Sequence, residues 1–385
     1  MKHLIIPVLI ILMLSCNSRK GEMKTGENIS DSVSENLYSR LFTVSHEENF
    51  TRMTITSPWQ GSGDIALDYF LLPDSGRIPD GADPAMVIRT PVSRVVCMST
   101  THVAMISRLG FTSTIKAVSG PGYISDKQLL SMISEGSVAD IGYDSNINSE
   151  LIVSLEPDVV LVYGVGAESA GYLSKIRDSG IPLLYISDYL ENDPLARAEW
   201  LRVFGFLYEK EDEADRIFEN IAAEYELLKQ EVAWRLNNLP VVMTGLPYKD
   251  TWYISPGNSY IGQLISDAGG KYLWSDRRSA SAIPMSLESV YVKAHNADIW
   301  INSGSAESLD DIVSVDTRLG DLKPVKTGRV FNNNARQLPG GGNDYWEKGV
   351  LEPHVLLLDL ISVFHPGLVP DNIICYYRRL EWKER

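Results

Sequence analysis

Catalysis or metal binding by this chain would have to come from the few places where reactive side chains recur at a useful spacing. Each falls short of the pattern its chemistry needs. Gly257-Asn258-Ser259-Tyr260-Ile261 begins like a nucleophile elbow, but Ile261 stands where the closing glycine belongs. Gly269-Gly270-Lys271-Tyr272 offers the lysine of a phosphate loop without the upstream glycine or the following Ser/Thr. Gly164-Val165-Gly166 follows a predicted strand, yet the third glycine of a dinucleotide fingerprint is missing. His3, His46, His102, His295, His354 and His365 form no His-x-x-x-His pair, and His102, at a predicted helix start, reads as structural. Cys16, Cys97 and Cys375 form no Cys-x-x-Cys pair, so a structural zinc site is not expected, nor a disulfide between Cys97 and Cys375. The 50 acidic residues offer many carboxylate pairs of the kind glycosidases use, and spacing singles out none. No catalytic constellation stands out, and no resident cofactor or metal is expected.

Composition narrows what is bound. The chain has 385 residues, 44% hydrophobic and 22% charged, which supports a large core in one big domain or two ordinary ones. With 35 basic against 50 acidic side chains, the formal charge is −15. A nucleic-acid groove needs a concentrated basic face, so such a partner is not expected. Tyrosine (18) and tryptophan (8) together outnumber phenylalanine (9), and rings with a polar edge suit ligand surfaces as well as half-buried positions.

These side chains must be positioned by regular elements, and the first segment is not one of them. Residues 1–16 run from Lys2 through an apolar stretch to Leu14-Ser15-Cys16. The stretch is shorter than the ~20 residues a spanning helix requires, and it fits a secretory leader. Leu14-Ser15-Cys16 resembles a bacterial lipobox, which makes Cys16 the lipidated first residue of the mature chain. Residues 17–36 are polar and read as a flexible tether. Residues 37–90 alternate like strands and form a small β-rich appendage.

After Pro91 short β-branched runs alternate with helical stretches, the pattern of a parallel sheet covered on both faces. Residues 91–190 form one such α/β lobe. Residues 191–238 contain almost no helix breaker except Gly205, and apolar residues recur there at helical spacing. That predicts one long connecting helix, with a kink at Gly205. From residue 239 the alternation resumes to 385 as a second lobe. The fold class is therefore α/β: two lobes with central parallel sheets, joined by one long rigid helix, plus the N-terminal β appendage.

The block Asn148-Ser149-Glu150-Leu151 to Leu155-Glu156-Pro157-Asp158-Val159-Val160-Leu161 resembles the solute-binding proteins of ABC importers for iron–siderophore, haem and cobalamin. There an Asn-x-Glu start opens a helix and a Pro-Asp turn feeds a buried strand. Met285-Ser286-Leu287-Glu288-Ser289-Val290 followed by Ala297-Asp298-Ile299-Trp300 is the parallel version in the second half. Arg94 to His102 and Gly180-Ile181-Pro182-Leu183 are similar to the family's first strand and a later strand start. The resemblance covers residues 91–366, and Asn332 to Glu347 resembles a branch common in Bacteroidetes lipoproteins.

The resemblance implies a non-enzymatic receptor with ligand held between the lobes. Residues just past predicted strand ends are then the candidates: Tyr123, Tyr163, Tyr189, Tyr248 and Trp252 as an aromatic wall, and Arg336 as partner to a ligand carboxylate or phosphate. It also implies one permease-facing glutamate per lobe, at Glu150 and Glu288. Each sits in the first turn of a predicted helix, with Asn148 and Ser286 as N-caps. The implied whole is a monomeric lipoprotein, anchored at Cys16 in the periplasm by its lipid alone. It would capture a ferric siderophore, haem or cobalamin for an inner-membrane ABC permease. A direct metal-ion receptor of the same fold, or an enzyme or adhesin on this scaffold, are the alternatives.

Overall fold

The computed structural model describes residues 32–34, 36–143, 146–164, 170–235 and 238–383; the leader, Cys16 and most of the 17–36 tether lie outside the described residues. Val95-Val96-Cys97 and Val159–Val162 are β-branched or apolar at every position and buried at every position. Only a strand covered on both faces tolerates that. They form the middle of a five-stranded sheet completed by Ile115–Val118, Ala139–Asp140 and Leu183–Tyr185, with every pairing parallel. In the second lobe Lys271–Tyr272, Val241–Thr244, Ile299–Ile301 and Val330–Asn332 pair in parallel, and Arg378–Arg379 closes the edge antiparallel. Trp200, Trp252, Trp274 and Trp300 are all fully buried, so much of the aromatic content serves the core.

The segment between the lobes is helical in three pieces, Pro194–Glu199, Leu201–Tyr208 and the 25-residue Glu211–Arg235. The break does not fall at Gly205. Glu209 takes the left-handed conformation (φ 54°), and the Lys210 amide returns to the Gly205 carbonyl at 2.8 Å, which closes the helix. Gly205 itself lies inside the helix, where a β-carbon would sit 2.7 Å from the Ala214 methyl. Its role is close approach of the two helices rather than a kink.

The N-terminal sheet, Ser32–Ser34, Phe42–His46, Thr51–Thr56, Ala66–Pro73 and Val87–Thr90, packs on this helical spine. Phe42 meets Trp200 edge-on at 5.1 Å. The buried Glu199 carboxylate accepts the amides of Leu37, Tyr38 and Ser39 at 2.8, 2.9 and 2.7 Å. The Tyr69 hydroxyl donates to the Leu183 carbonyl at 2.8 Å, tying the appendage to the first lobe as well.

Candidate functional site

Side chains at the carboxyl ends of parallel strands face outward where two sheets oppose each other, and ligands of open α/β sheets bind there. Here those ends converge. Ser99 and Thr100 follow Val95–Cys97, Ser119 and Tyr123 follow Ile115–Val118, and Tyr163 follows Val159–Val162. With Tyr143, Asn343 and Trp346 they line a cavity of about 250 Å³. From the second lobe Gly245, Asn302 and Asn333 take the same positions after their strands. They line a cavity of about 630 Å³ together with Tyr253, Tyr260, Tyr345 and Arg197. Tyr123, Gly341, Asn343 and Trp346 belong to both linings, so the two form one cleft between the lobes. A larger hollow of about 920 Å³ lies elsewhere, between the N-terminal sheet and Phe206, Glu209 and Glu211. It is lined by neither sheet's strand ends, and the cleft is the better site on that ground.

The cleft is rich in hydroxyls, carboxamides and aromatic rings. Asn302 holds a left-handed backbone (φ 52°), and its buried carboxamide and that of Asn333 both act on the Tyr345 hydroxyl, so the three form one polar wall of the cleft. Arg197 is the one charged side chain lining the cleft among the described residues. Its Nε donates to the buried Asp188 carboxylate at 3.1 Å, and its guanidinium lies 5.3 Å over the Tyr260 ring. Burial raises the Asp188 carboxyl, while Arg197 and hydrogen bonds from Tyr189 and Thr101 act against it.

The expected site residues divide. Tyr123, 51% exposed, stands in the cleft beside Tyr143 at 5.1 Å, and Tyr163 lines it too. Tyr189 is half-buried behind Tyr163, its hydroxyl donating to the Gly164 carbonyl and accepting the Gln60 amide, and burial pushes it up to about 12. Tyr248 is exposed in a turn outside the cleft, with Lys249 over its ring. Trp252 is not a ligand wall: it is fully buried, its indole N–H donating to the Thr244 carbonyl at 3.1 Å. In the strand Thr251–Ile254 alternation turns the next residue, Tyr253, into the cleft instead. Arg336 is not free for a ligand anion, since it pairs with Asp344 at 2.5 Å and lies over Tyr376. His102 is fully buried, and desolvation lowers its imidazole to about 3, so it is a neutral core group.

Sequence reasoning missed Arg197, Tyr253, Tyr260, Tyr345 and Trp346. Only Tyr253 carried a usable signal, its strand parity relative to Trp252.

Glu150 and Glu288 are both exposed, in the first turns of helices Ser149–Ser154 and Leu287–Ala294. Asn148 caps the first through the Leu151 amide at 3.0 Å and Ser286 the second through the Ser289 amide at 3.2 Å. Glu288 also lies 3.4 Å from Arg318, which Asp316 holds more closely at 2.7 Å.

Residues 95–336 match the family model described as periplasmic binding protein. An uncharacterized lipoprotein of Methanocaldococcus jannaschii is 30% identical over 293 residues, covering 74% of this chain and 68% of that one. A cobalamin-binding protein of Halobacterium salinarum is 24% identical over 243 residues, 61% of this chain and 60% of its own length. A periplasmic haem-binding protein from Pseudomonas aeruginosa superposes with a TM-score of 0.55 at 15% identity, over 72% of this chain and 94% of that one. With two parallel-sheet lobes, a helical spine and a cleft at their strand ends, the chain belongs to the periplasmic binding protein family, the non-enzymatic solute-binding components of ABC importers.

Proposed function

We propose that this protein captures a large metal chelate in the inter-lobe cleft and delivers it to an inner-membrane ABC permease, and that the chelate is a corrinoid. The observation that carries the choice is the cleft's charge. Among the described residues its lining is hydroxyl, carboxamide and aromatic, and the one cation among them is already paired with Asp188. A neutral macrocycle bordered by carboxamides finds matching donors and acceptors there. A ferric catecholate or a haem with two carboxylates calls for free cations, and the described lining residues offer none. Similarity to a cobalamin-binding protein supports the same choice. Among the described residues no three His, Cys, Asp or Glu side chains stand together as a metal-ion site, which disfavours direct capture of a bare ion. Lipidation at Cys16 would hold the receptor at the periplasmic membrane surface, as a monomer, with Glu150 and Glu288 as its permease contacts.

The test is a titration of the purified protein with cyanocobalamin, haemin and a ferric catecholate, read by intrinsic fluorescence and by the ligands' own absorbance. Cyanocobalamin should bind at about 1 μM or tighter, roughly −8 kcal/mol, and at least tenfold better than the other two. Preference for haemin or the catecholate overturns the corrinoid assignment. Chemical conversion of a bound ligand without any importer overturns the receptor reading itself.

A further inference from the structure

Arg197 raises a question that its exposure makes concrete. Its side chain is 16% exposed and reaches the cleft, whereas its partner Asp188 is 2% exposed and lies behind it. The two come from different elements. Asp188 opens the turn Asp188–Leu190 after the last strand of the first lobe, and Arg197 belongs to the helix Pro194–Glu199 that starts the spine. Besides the guanidinium, Thr101 and the Tyr189 amide of its own turn act on the Asp188 carboxylate, so two other elements, the helices of Thr101 and Arg197, hold it in place. A surface arginine would need no such counter-charge. A cation at the floor of a ligand cleft does if the ligand is neutral, because an unpaired charge facing a neutral ligand loses its water without compensation.

We infer that Asp188, which need not touch ligand, determines the charge preference of the cleft by cancelling Arg197. This rests on the reading of the cleft as the ligand site, but not on the ligand being a corrinoid. It is tested with matched probes that differ only in charge. One pair is cyanocobalamin and its monocarboxylate, in which one ring carboxamide is hydrolysed. The other is haemin and its dimethyl ester. For each pair the quantity read is the affinity for the anionic member divided by that for the neutral member.

Asp188→Asn should raise this ratio by roughly tenfold or more, with the gain shrinking as salt is added. Arg197→Gln, which leaves the carboxylate in excess, should lower it about threefold, and it reads the same balance should Asp188→Asn fail to fold. The double variant should return to the ratio of the unmodified protein. If the variants weaken both members of a pair equally, Asp188 is a structural partner only and the inference falls. If only the porphyrin pair binds, the corrinoid assignment fails while the ratio still decides the role of Asp188. A protein that binds neither pair overturns both.

Discussion

The main-chain N–H of Ser125 donates to Glu347 Oε2 at 2.7 Å, a buried bond that joins the first lobe to the second. The Ser125 hydroxyl donates to Asp344 at 3.0 Å beside it. A few residues away the backbones themselves meet: a β-carbon on Gly342 would lie 2.5 Å from the Ile124 carbonyl oxygen. The lobes are therefore latched along one edge by a glycine contact and two carboxylates, independently of the helical spine behind them.

That latch titrates near neutrality. Glu347 is fully buried, Oε1 has no partner, and desolvation pushes its carboxyl up to about 7, aided by Asp126 and Asp344 and opposed by the Ser125 hydrogen bonds. A carboxyl raised in the folded state binds its proton more tightly there than when unfolded. Stability should thus fall as pH rises from about 4.5 to about 7 and level off above. Glu347→Gln should remove this component and gain roughly 2 kcal/mol over the unmodified protein at pH 8. Urea unfolding of both proteins from pH 4.5 to 8 checks it. Equal slopes for the two would contradict the assignment.

The two aromatic candidates Tyr123 and Trp252 should part company on substitution. Tyr123→Ala removes an exposed cleft ring and should weaken ligand binding by roughly tenfold or more with little loss of stability. Trp252→Ala empties a fully buried site and should cost about 3–5 kcal/mol of stability. Thermal melts and ligand titrations on the same preparations separate the two. Loss of affinity without loss of stability in the tryptophan variant would overturn its placement in the core.

Much of the fold was legible because it rests on local periodicity. Runs such as Val159–Val162 and caps such as Asn148 and Ser286 announce strands and helix starts through their own chemistry. The helix break at Glu209 was not legible, since a glutamate in the left-handed region leaves no sign in composition while Gly205 attracts attention. The site was legible only in part for a related reason. Strand ends can be guessed, but facing cannot. A one-residue change of parity exchanges Trp252 for Tyr253, and Arg336 looked free because Asp344, eight residues on, gives no hint that it folds back. Arg197 reaches the cleft only through tertiary packing of the spine.

Glu150 and Glu288 supply a prediction about transport. Glu150→Ala and Glu288→Ala should leave ligand affinity unchanged and reduce uptake, with the double variant worst. Glu288 shares its carboxylate with Arg318, so a permease arginine must compete for it. Arg318→Ala should therefore preserve or raise uptake while Glu150→Ala lowers it. Uptake of labelled ligand in cells, alongside titration of each purified variant, checks this. Normal uptake in both single variants, or collapse of affinity in either, would rule out the docking role.

Gly205→Ala tests the spine. The added methyl would press on Ala214 at 2.7 Å and on the Lys210 carbonyl at 3.2 Å, so the helices Leu201–Tyr208 and Glu211–Arg235 must separate. The expected cost is about 1–3 kcal/mol, despite alanine's better helix propensity. Denaturant titration measures it. A stabilised variant would mean that the helix pair yields freely at this point.

The three amides of Leu37, Tyr38 and Ser39 on the Glu199 carboxylate also have a mechanical meaning. Strand Ser32–Ser34 is antiparallel to Phe42–His46, with Ser32 opposite His46. Tension applied through the preceding residues therefore loads that pairing at one end and peels it one hydrogen bond at a time, a low-force mode. The peeling stops where the chain reaches Glu199, because three charge-assisted bonds there must yield together. The first strand thus acts as a short expendable extension, and the carboxylate behind it is the point at which a pull on the amino terminus is transmitted to the body.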